Sequence, residues 1–281
     1  KFIALPGEAG AVDVRTEVRI APGAGASEWR ITVKNRSRRF GLWETDYPRL
    51  TGVVPPGLAD VLLPRGNWGG SLMPRHAGQY DGRYPSFACP VQLAAFNLGE
   101  AGLYLAAHDG DANAKRLVVT REQDFTFKAL AENAGVPGAA GAPDYPLVIA
   151  AYKGDWWQAA KRYRAWALRQ PWTSKGPIRE RSDYPRRLTD MGFWMLLNGH
   201  PASVSDAMSK TALLYPDIPL GVHWYNWHEI PFDHSYPEYF PAKPGVAEAA
   251  RAMEAAGQTV MPYINARLWD RDIPSFTEAL P

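Results

Sequence analysis

The chain has 281 residues, 46% of them hydrophobic and 21% charged, which is enough to bury one large core or two ordinary ones and argues against a disordered chain. Its 31 basic residues face 29 acidic ones for a net charge of +2, with no basic block and no basic run interleaved with aromatics, so a nucleic-acid groove is not expected. A single cysteine, Cys89, cannot form an internal disulfide, and no apolar run approaches the roughly 20 residues that a membrane helix needs. The text opens at KFIALPGEAG, without an initiator methionine or a signal pattern, and reads as a processed or trimmed product whose targeting segment would not be visible.

In chain order, residues 1 to 152 predict a β-sandwich. VDVRTEVRI and EWRITVKN alternate with a period of two, and PVQLAAFNL, AGLYLAAHD, KRLVVTRE, DFTFKAL and PLVIAAY follow, each bounded by Gly, Pro, Asn or Asp. Many short strands without an intervening helix are the pattern of two packed sheets. LPRGNWGGSLMPRHAGQYDGRYPS, with Trp68, His76, Tyr80, Asp81, Arg83 and Tyr84, reads as a long polar and aromatic loop, and NAGVPGAAGAPDYP as an exposed one.

The period then changes. GDWWQAAKRYRAWALRQPW places Trp157, Ala160, Tyr163, Arg164 and Ala167 at helical spacing, with Asp155 as an N-terminal charge and Pro171 as a stop. With the charged, proline-bearing TSKGPIRERSDYPRR it makes a connecting helix and linker over 153–187. From 188 to 281 the text alternates between strand and helix. LTDMGFWMLLNG, IPLGVHWYNWHEI and TVMPYINARLWD read as strands, SVSDAMSKTALLYPD and PGVAEAARAMEAAGQ as helices, an order that implies a parallel sheet. A (β/α)8 barrel takes roughly 250 residues, and this segment has room for about three of its eight units. A small open α/β sheet and the front of a larger barrel both satisfy the pattern.

Ligands of such folds sit at the carboxyl ends of parallel strands, where loops and helix N-termini converge. The first strand ends at Asn198, Gly199 and His200, the second at Trp227, His228, Glu229 and Asp233, and the third at Asn265, Arg267, Trp269 and Asp270. These ends are polar and aromatic while the strand starts are apolar. Sugars need that combination, because their C–H faces stack on aromatic planes and their hydroxyls need partners; 11 tryptophans and 13 tyrosines fit the same chemistry. Trp224 and Tyr225, in mid-strand, read as filler between the sheet and its outer helices. Asp190, at the start of the first strand, reads as a cap or ion-pair partner.

Glycoside hydrolysis needs two carboxylates, roughly 5 Å apart for retention and farther for inversion. Glu229, Asp233 and Asp270 are the catalytic candidates within the chain, though each alone reads more readily as a hydroxyl acceptor. His223, His228, His234 and Asp233 resemble a metal cluster only superficially, since the spacing is not HExxH and an odd separation puts His223 and His228 on opposite faces of a strand. No nucleophile elbow or phosphate loop is present.

The order of parts, with the helix YKGDWWQAAKRYRAWALRQPW and the segments VHWYNWHEIPFDHSYPEYFPAKPG and VMPYINARLWD, resembles bacterial glycoside hydrolases of the superfamily that includes α-galactosidases and endo-α-N-acetylgalactosaminidases. It is particularly similar to barrel proteins known as domains of unknown function, and GLYLAAHDGDANAKRL is similar to a strand pair of their sandwiches. The resemblance implies an N-terminal antiparallel β-sandwich followed by a TIM-type barrel, of which this chain holds the first strands. It implies a nucleophile and an acid after the fourth and sixth barrel strands, beyond Pro281, and retaining hydrolysis. Asn198, Trp227, His228, Asp233, Asn265, Arg267, Trp269 and Asp270 would then hold the first sugar ring. The partner expected is a carbohydrate, without cofactor or metal, in the periplasm or outside the cell. Two rivals are a catalytically silent carbohydrate-binding protein and a metal-dependent hydrolase.

Overall fold

The computed structural model describes residues 5–20, 22–23, 25–66, 70–131, 133–139 and 143–279, so Trp68 lies outside the described residues. They form two compact units, Lys1–Ser174 and Lys175–Pro281.

The first unit is built from β1 (Val12–Ile20), β2 (Ala26–Asn35), β3 (Glu44–Leu50), β4 (Asp60–Leu63), β5 (Ser71–Met73), β6 (Tyr80–Tyr84), β7 (Leu93–Asn97), β8 (Ala101–Ala107), β9 (Lys115–Val119), β10 (Phe125–Leu130) and β11 (Leu147–Lys153). They pair into a seven-stranded antiparallel sheet, β1-β2-β11-β8-β7-β4-β5, and a four-stranded one, β3-β10-β9-β6. Val61, Leu63, Phe96, Leu105 and Leu147 of the first sheet pack with Leu117, Val119, Phe125 and Phe127 of the second, which makes a sandwich. The segment expected to be one long loop contains β5 and β6, with Tyr80, Asp81, Arg83 and Tyr84 all in β6. SLM and YDGRY are short and contain no Val, Ile or Thr, so they carry little of the β-branched signal by which strands are recognised.

The centre of the larger sheet is covered on both faces. Ala94 and Phe96 of β7 point into the sandwich, while Leu93 and Ala95 join Tyr104, Ala106, Val148 and Ala150 on the outer face, where Ala159 of α1 (Trp156–Ala167) packs. Burial on both faces explains why LAAFN and LYLAA read as apolar runs instead of alternating. Asp155 caps α1 by accepting the Trp157 N–H at 3.1 Å. The face of α1 that packs carries Ala159, Tyr163 and Trp166, whereas Trp157 is 52% exposed. The spacing predicts Trp157 on that face, and with adjacent tryptophans at 156 and 157 a register one residue off fits almost as well.

Two buried polar groups fasten this unit. The Lys115 ammonium is fully buried, 2.6 Å from Asp109 Oδ2 and 2.5 Å from the Asn113 carbonyl, with the rings of Tyr84 and Tyr145 facing it. Asp109 also accepts the N–H groups of Asp111 and Asn113, so both charges are neutralised and hydrogen-bonded, as burial requires. His108 stacks on Trp166 of α1 at 4.7 Å and lies 2.7 Å from the Tyr104 hydroxyl.

The second unit begins with the short α2 (Arg186–Thr189), capped at its C-terminal end by Asp190. It continues through β12 (Phe193–Asn198), α3 (Pro201–Leu214), β13 (Leu220–Tyr225), α4 (Val246–Ala255), β14 (Thr259–Pro262) and α5 (Pro274–Glu278). The described residues hold a three-stranded parallel sheet in the order β12-β13-β14, not a closed barrel. Val246 and Met253 of α4, spaced for one helical face, meet Val204 and Met208 of α3 over Leu220, Val222 and Trp224 of the sheet. Gly257, at φ +80°, ends α4: its N–H bonds the Glu254 carbonyl and that of Gln258 the Met253 carbonyl, a glycine-terminated stop. No helix among the described residues is long and apolar enough to cross a membrane.

Burial, followed by repulsion from Arg169 and Arg162, pulls the His108 pKa down to about 4. Its neutral form is therefore favoured by folding, so its stabilisation is complete above pH ~6.5 and is lost as pH falls toward 4, by up to about 3 kcal/mol. Urea unfolding of the wild type and of His108→Phe at pH 7 and pH 4.5 should show a smaller pH dependence in the variant; identical slopes would remove His108 from this role.

Candidate functional site

The site grows from the alternation of β13. Val222 and Trp224 point toward the helices, where Trp224 is fully buried and donates from Nε1 to the Gly199 carbonyl at 3.0 Å. Gly221, His223 and Tyr225 therefore share the opposite face. The register places Leu196 and Met261 beside His223, and Asn198 beside Tyr225. Within this unit that face is open, with Leu196 70% exposed. A Cβ at Gly221 would lie 2.6 Å from the Trp194 ring, so glycine is what lets that indole lie against the strand.

Just past the strand ends the open face becomes aromatic. Tyr225 stacks on Tyr263 with centroids 4.5 Å apart and planes 20° apart, Phe232 lies 5.5 Å from Tyr263, and His223 lies 4.6 Å from Tyr225. Burial lowers the His223 pKa, so its imidazole is uncharged at neutral pH. Tyr225 and Tyr263 keep part of their surface accessible. Partly exposed rings beside a neutral hydrogen-bonding imidazole suit the C–H face of an uncharged ring-shaped ligand.

The predicted site residues divide between rim and support. All those attributed to the second strand lie in the loop after it, because β13 ends at Tyr225. The spacing predicts ligand contact for Trp227 and His228, yet they are only 7% and 1% exposed. Trp227 donates to the Tyr263 carbonyl at 2.9 Å and stacks on Tyr239. His228 Nδ1 lies 2.8 Å from the Ile230 carbonyl, which can only accept, so Nδ1 carries the proton. Both side chains build the wall behind the tyrosines, and an apolar cluster around a loop competes for aromatic residues as strongly as a ligand does.

Asn265 accepts the N–H groups of Arg267 and Leu268 on Oδ1, at 2.8 and 3.1 Å, and donates to the Tyr263 hydroxyl at 3.0 Å. The Tyr239 hydroxyl accepts the Asn265 N–H, which ties the turn after β14 to the wall. Asp270 accepts the N–H groups of Ser235 at 2.7 Å and Asp272 at 3.0 Å. Those amides, Asp272 first and then Ser235, hold its carboxyl below the usual range, so it stays ionised and is unsuited to the role of proton-donating acid. Trp269 packs edge-on to Phe276 of α5 and its Nε1 reaches Ser275 at 3.4 Å.

Glu229, Asp233 and Arg267 are exposed, and among the described residues none bonds through its side chain to another candidate. Asn198 is exposed at the end of β12 and accepts from Asn226 at 2.9 Å. The residues that the spacing did not assign to the site are His223, weighed only as a metal ligand, Tyr225, read as filler but placed by strand alternation on the open face, and Tyr263, Asn226 and Lys243. The available signal was parity: once 222 and 224 are core positions, 223 and 225 must face the other way. Among the described residues no group of three or more His, Cys, Asp or Glu side chains is arranged to hold a metal.

A family described as a domain of unknown function, DUF6259, matches residues 142–280. A protein of Monosiga brevicollis, provisionally named a glycoside hydrolase, is 29% identical over 90% of this chain and 24% of its own length. One from Bacteroides thetaiotaomicron, provisionally named in the same way, is 29% identical over 94% of this chain and 39% of its own length. The chain thus spans about a quarter to two fifths of the curated relatives it matches. Among solved structures it shares a fold with an α-N-acetylgalactosaminidase of Bifidobacterium bifidum. The complex with Gal-NHAc-DNJ gives a TM-score of 0.58 at 13% identity over 94% of this chain and 53% of that one. The ligand-free form gives 0.56 at 14% identity over 93% and 54%.

Trp227→Ala should destabilise the second unit by about 3–5 kcal/mol, the usual cost of deleting a buried tryptophan. Denaturant unfolding followed by tryptophan fluorescence measures it. A change under about 0.5 kcal/mol would mean that the indole is not part of the wall.

Proposed function

We propose that this chain is the sugar-holding front portion of a glycoside hydrolase. In this reading an N-terminal β-sandwich over 1–152 and a connection over 153–187 precede the first strands of a (β/α)8 barrel over 188–281. The observation that carries it is the open face at the carboxyl ends of β12, β13 and β14, where stacked Tyr225 and Tyr263 adjoin neutral His223 and the amide of Asn198. Tyr225 and Tyr263 would take the C–H face of the ring, and His223, Asn198 and the exposed Asp233 and Arg267 its hydroxyls. The names of the two sequence relatives and the fold shared with an α-N-acetylgalactosaminidase support the same class.

Cleavage requires a nucleophile or base and a proton donor. Asp270 is held ionised by two backbone amides, and Glu229 and Asp233 sit exposed on a loop. Asp270 thus offers no proton, and in this reading the catalytic pair belongs to the remainder of the longer protein that the relatives represent, acting with retention at a periplasmic or extracellular location. The same commitment of Asp270 favours, as a second reading, a carbohydrate-binding protein without turnover.

Full-length protein should hydrolyse at least one member of a panel of aryl α- and β-glycosides and natural polysaccharides. Tyr225→Ala and Tyr263→Ala should each raise KM about 10-fold, the equivalent of about 1.4 kcal/mol of lost stacking. Binding without turnover would select the second reading, and neither binding nor turnover of any sugar would defeat both.

A further inference from the structure

Two asparagines meet at the rim without an obvious structural task. Asn198 ends β12, and Asn226 follows β13 directly in a left-handed conformation, φ 50°, which asparagine tolerates better than most residues. The Asn226 side chain donates from Nδ2 to Asn198 Oδ1 at 2.9 Å, linking adjacent strand ends. That single bond leaves Asn198 Nδ2 as a donor and Asn226 Oδ1 as an acceptor with no further partner among the described residues. A solvent-facing amide pair of this kind adds little to stability.

The residue behind the pair is Lys243, half-buried, whose ammonium donates to the Asn226 carbonyl at 2.5 Å while its own N–H donates to the Trp227 carbonyl at 2.9 Å. A lysine bound to a peptide carbonyl holds the left-handed turn in place and so aims the Asn226 side chain across the strand ends. Beside the pair, Tyr225 occupies the register position next to Asn198 and stacks on Tyr263. An apolar ring platform thus borders an adjacent amide donor and amide acceptor.

We propose that Asn198 and Asn226 together read two neighbouring hydroxyl groups of an uncharged sugar lying on Tyr225, and that Lys243 is the positioning residue that holds this reader. The inference rests on the proposed function and names the chemistry of the ring taken at that site: one hydroxyl donates to Asn226 Oδ1 and the next accepts from Asn198 Nδ2. The left-handed backbone at Asn226 then serves ligand geometry instead of chain reversal alone.

The test is calorimetric titration of the full-length protein with methyl galactosides, glucosides and mannosides, repeated with monodeoxy forms of whichever sugar binds. Asn198→Ala and Asn226→Ala should each weaken binding about 10- to 100-fold, and the penalty for deleting one of the two hydroxyls should vanish in those variants. Lys243→Met should weaken binding about 10-fold and Lys243→Arg should restore it, which a role in folding alone would not require. Should the alanine variant not fold, Asn226→Asp, which keeps the acceptor oxygen but removes the Nδ2 donor that holds Asn198, should weaken binding about 10-fold through the lost alignment of Asn198. Unchanged affinity in well-folded variants, or an undiminished deoxy penalty, would overturn the reader while leaving the sugar site standing. If the wild type binds none of these three sugars, the reader as stated is overturned, whereas the proposed function falls only if the wider glycoside and polysaccharide panel also shows neither binding nor turnover.

Discussion

The second unit depends on the fact that a strand cannot show the same residue to both faces. β13 is six residues long, and its side chains alternate between the helices α3 and α4 and an uncovered face. Val222 and Trp224 are drawn to the helical side because burying them is worth ~2 kcal/mol or more each. His223 and Tyr225 are consequently forced onto the open side. A one-residue slip would put an imidazole and a phenol against Met208 and Met253 and expose a tryptophan, so the register that stabilises the core is also the one that presents the site.

The loop after β13 is held from within. Trp227, Tyr236 and Tyr239 are buried with His228 in one cluster, and hydrogen bonds from the Trp227 indole to the Tyr263 carbonyl and from the Ser235 N–H to the Asp270 carboxylate fasten that cluster to the turn after β14. Polar side chains at the strand ends therefore do two different jobs. Asn265 and Asp270 spend their oxygens on backbone amides and hold the turns, which leaves Tyr225, Tyr263, His223 and the Asn198–Asn226 pair to face outward. A site on loops needs such internal ties, since a loop that orders only on binding would lose affinity to its own entropy.

The sandwich unit follows a comparable logic with charge. Buried Lys115 would be costly alone, but Asp109, the Asn113 carbonyl and two tyrosine rings surround it. His108, kept neutral beneath α1, attaches the helix to the sheet through Trp166, so the helix belongs to the same packed body as the strands before it.

The amino-acid text by itself determined the order of elements, because periods of two and of about 3.6 are local and survive without a partner: β1, β2, β7 to β11, α1, β12, α3, β13, α4 and β14 are legible in it. It was far weaker on β5 and β6, which are short and poor in β-branched residues, and on where β13 stops, since VHWYNWHEI remains strand-like in propensity beyond Tyr225. Only the tertiary structure decided which of the aromatic and polar residues after β13 face outward. Trp227 and His228 are as well suited to a ligand as Tyr225, but the helices, the loop cluster and the turn after β14 compete for the same side chains, and the outcome depends on packing between segments distant in the chain.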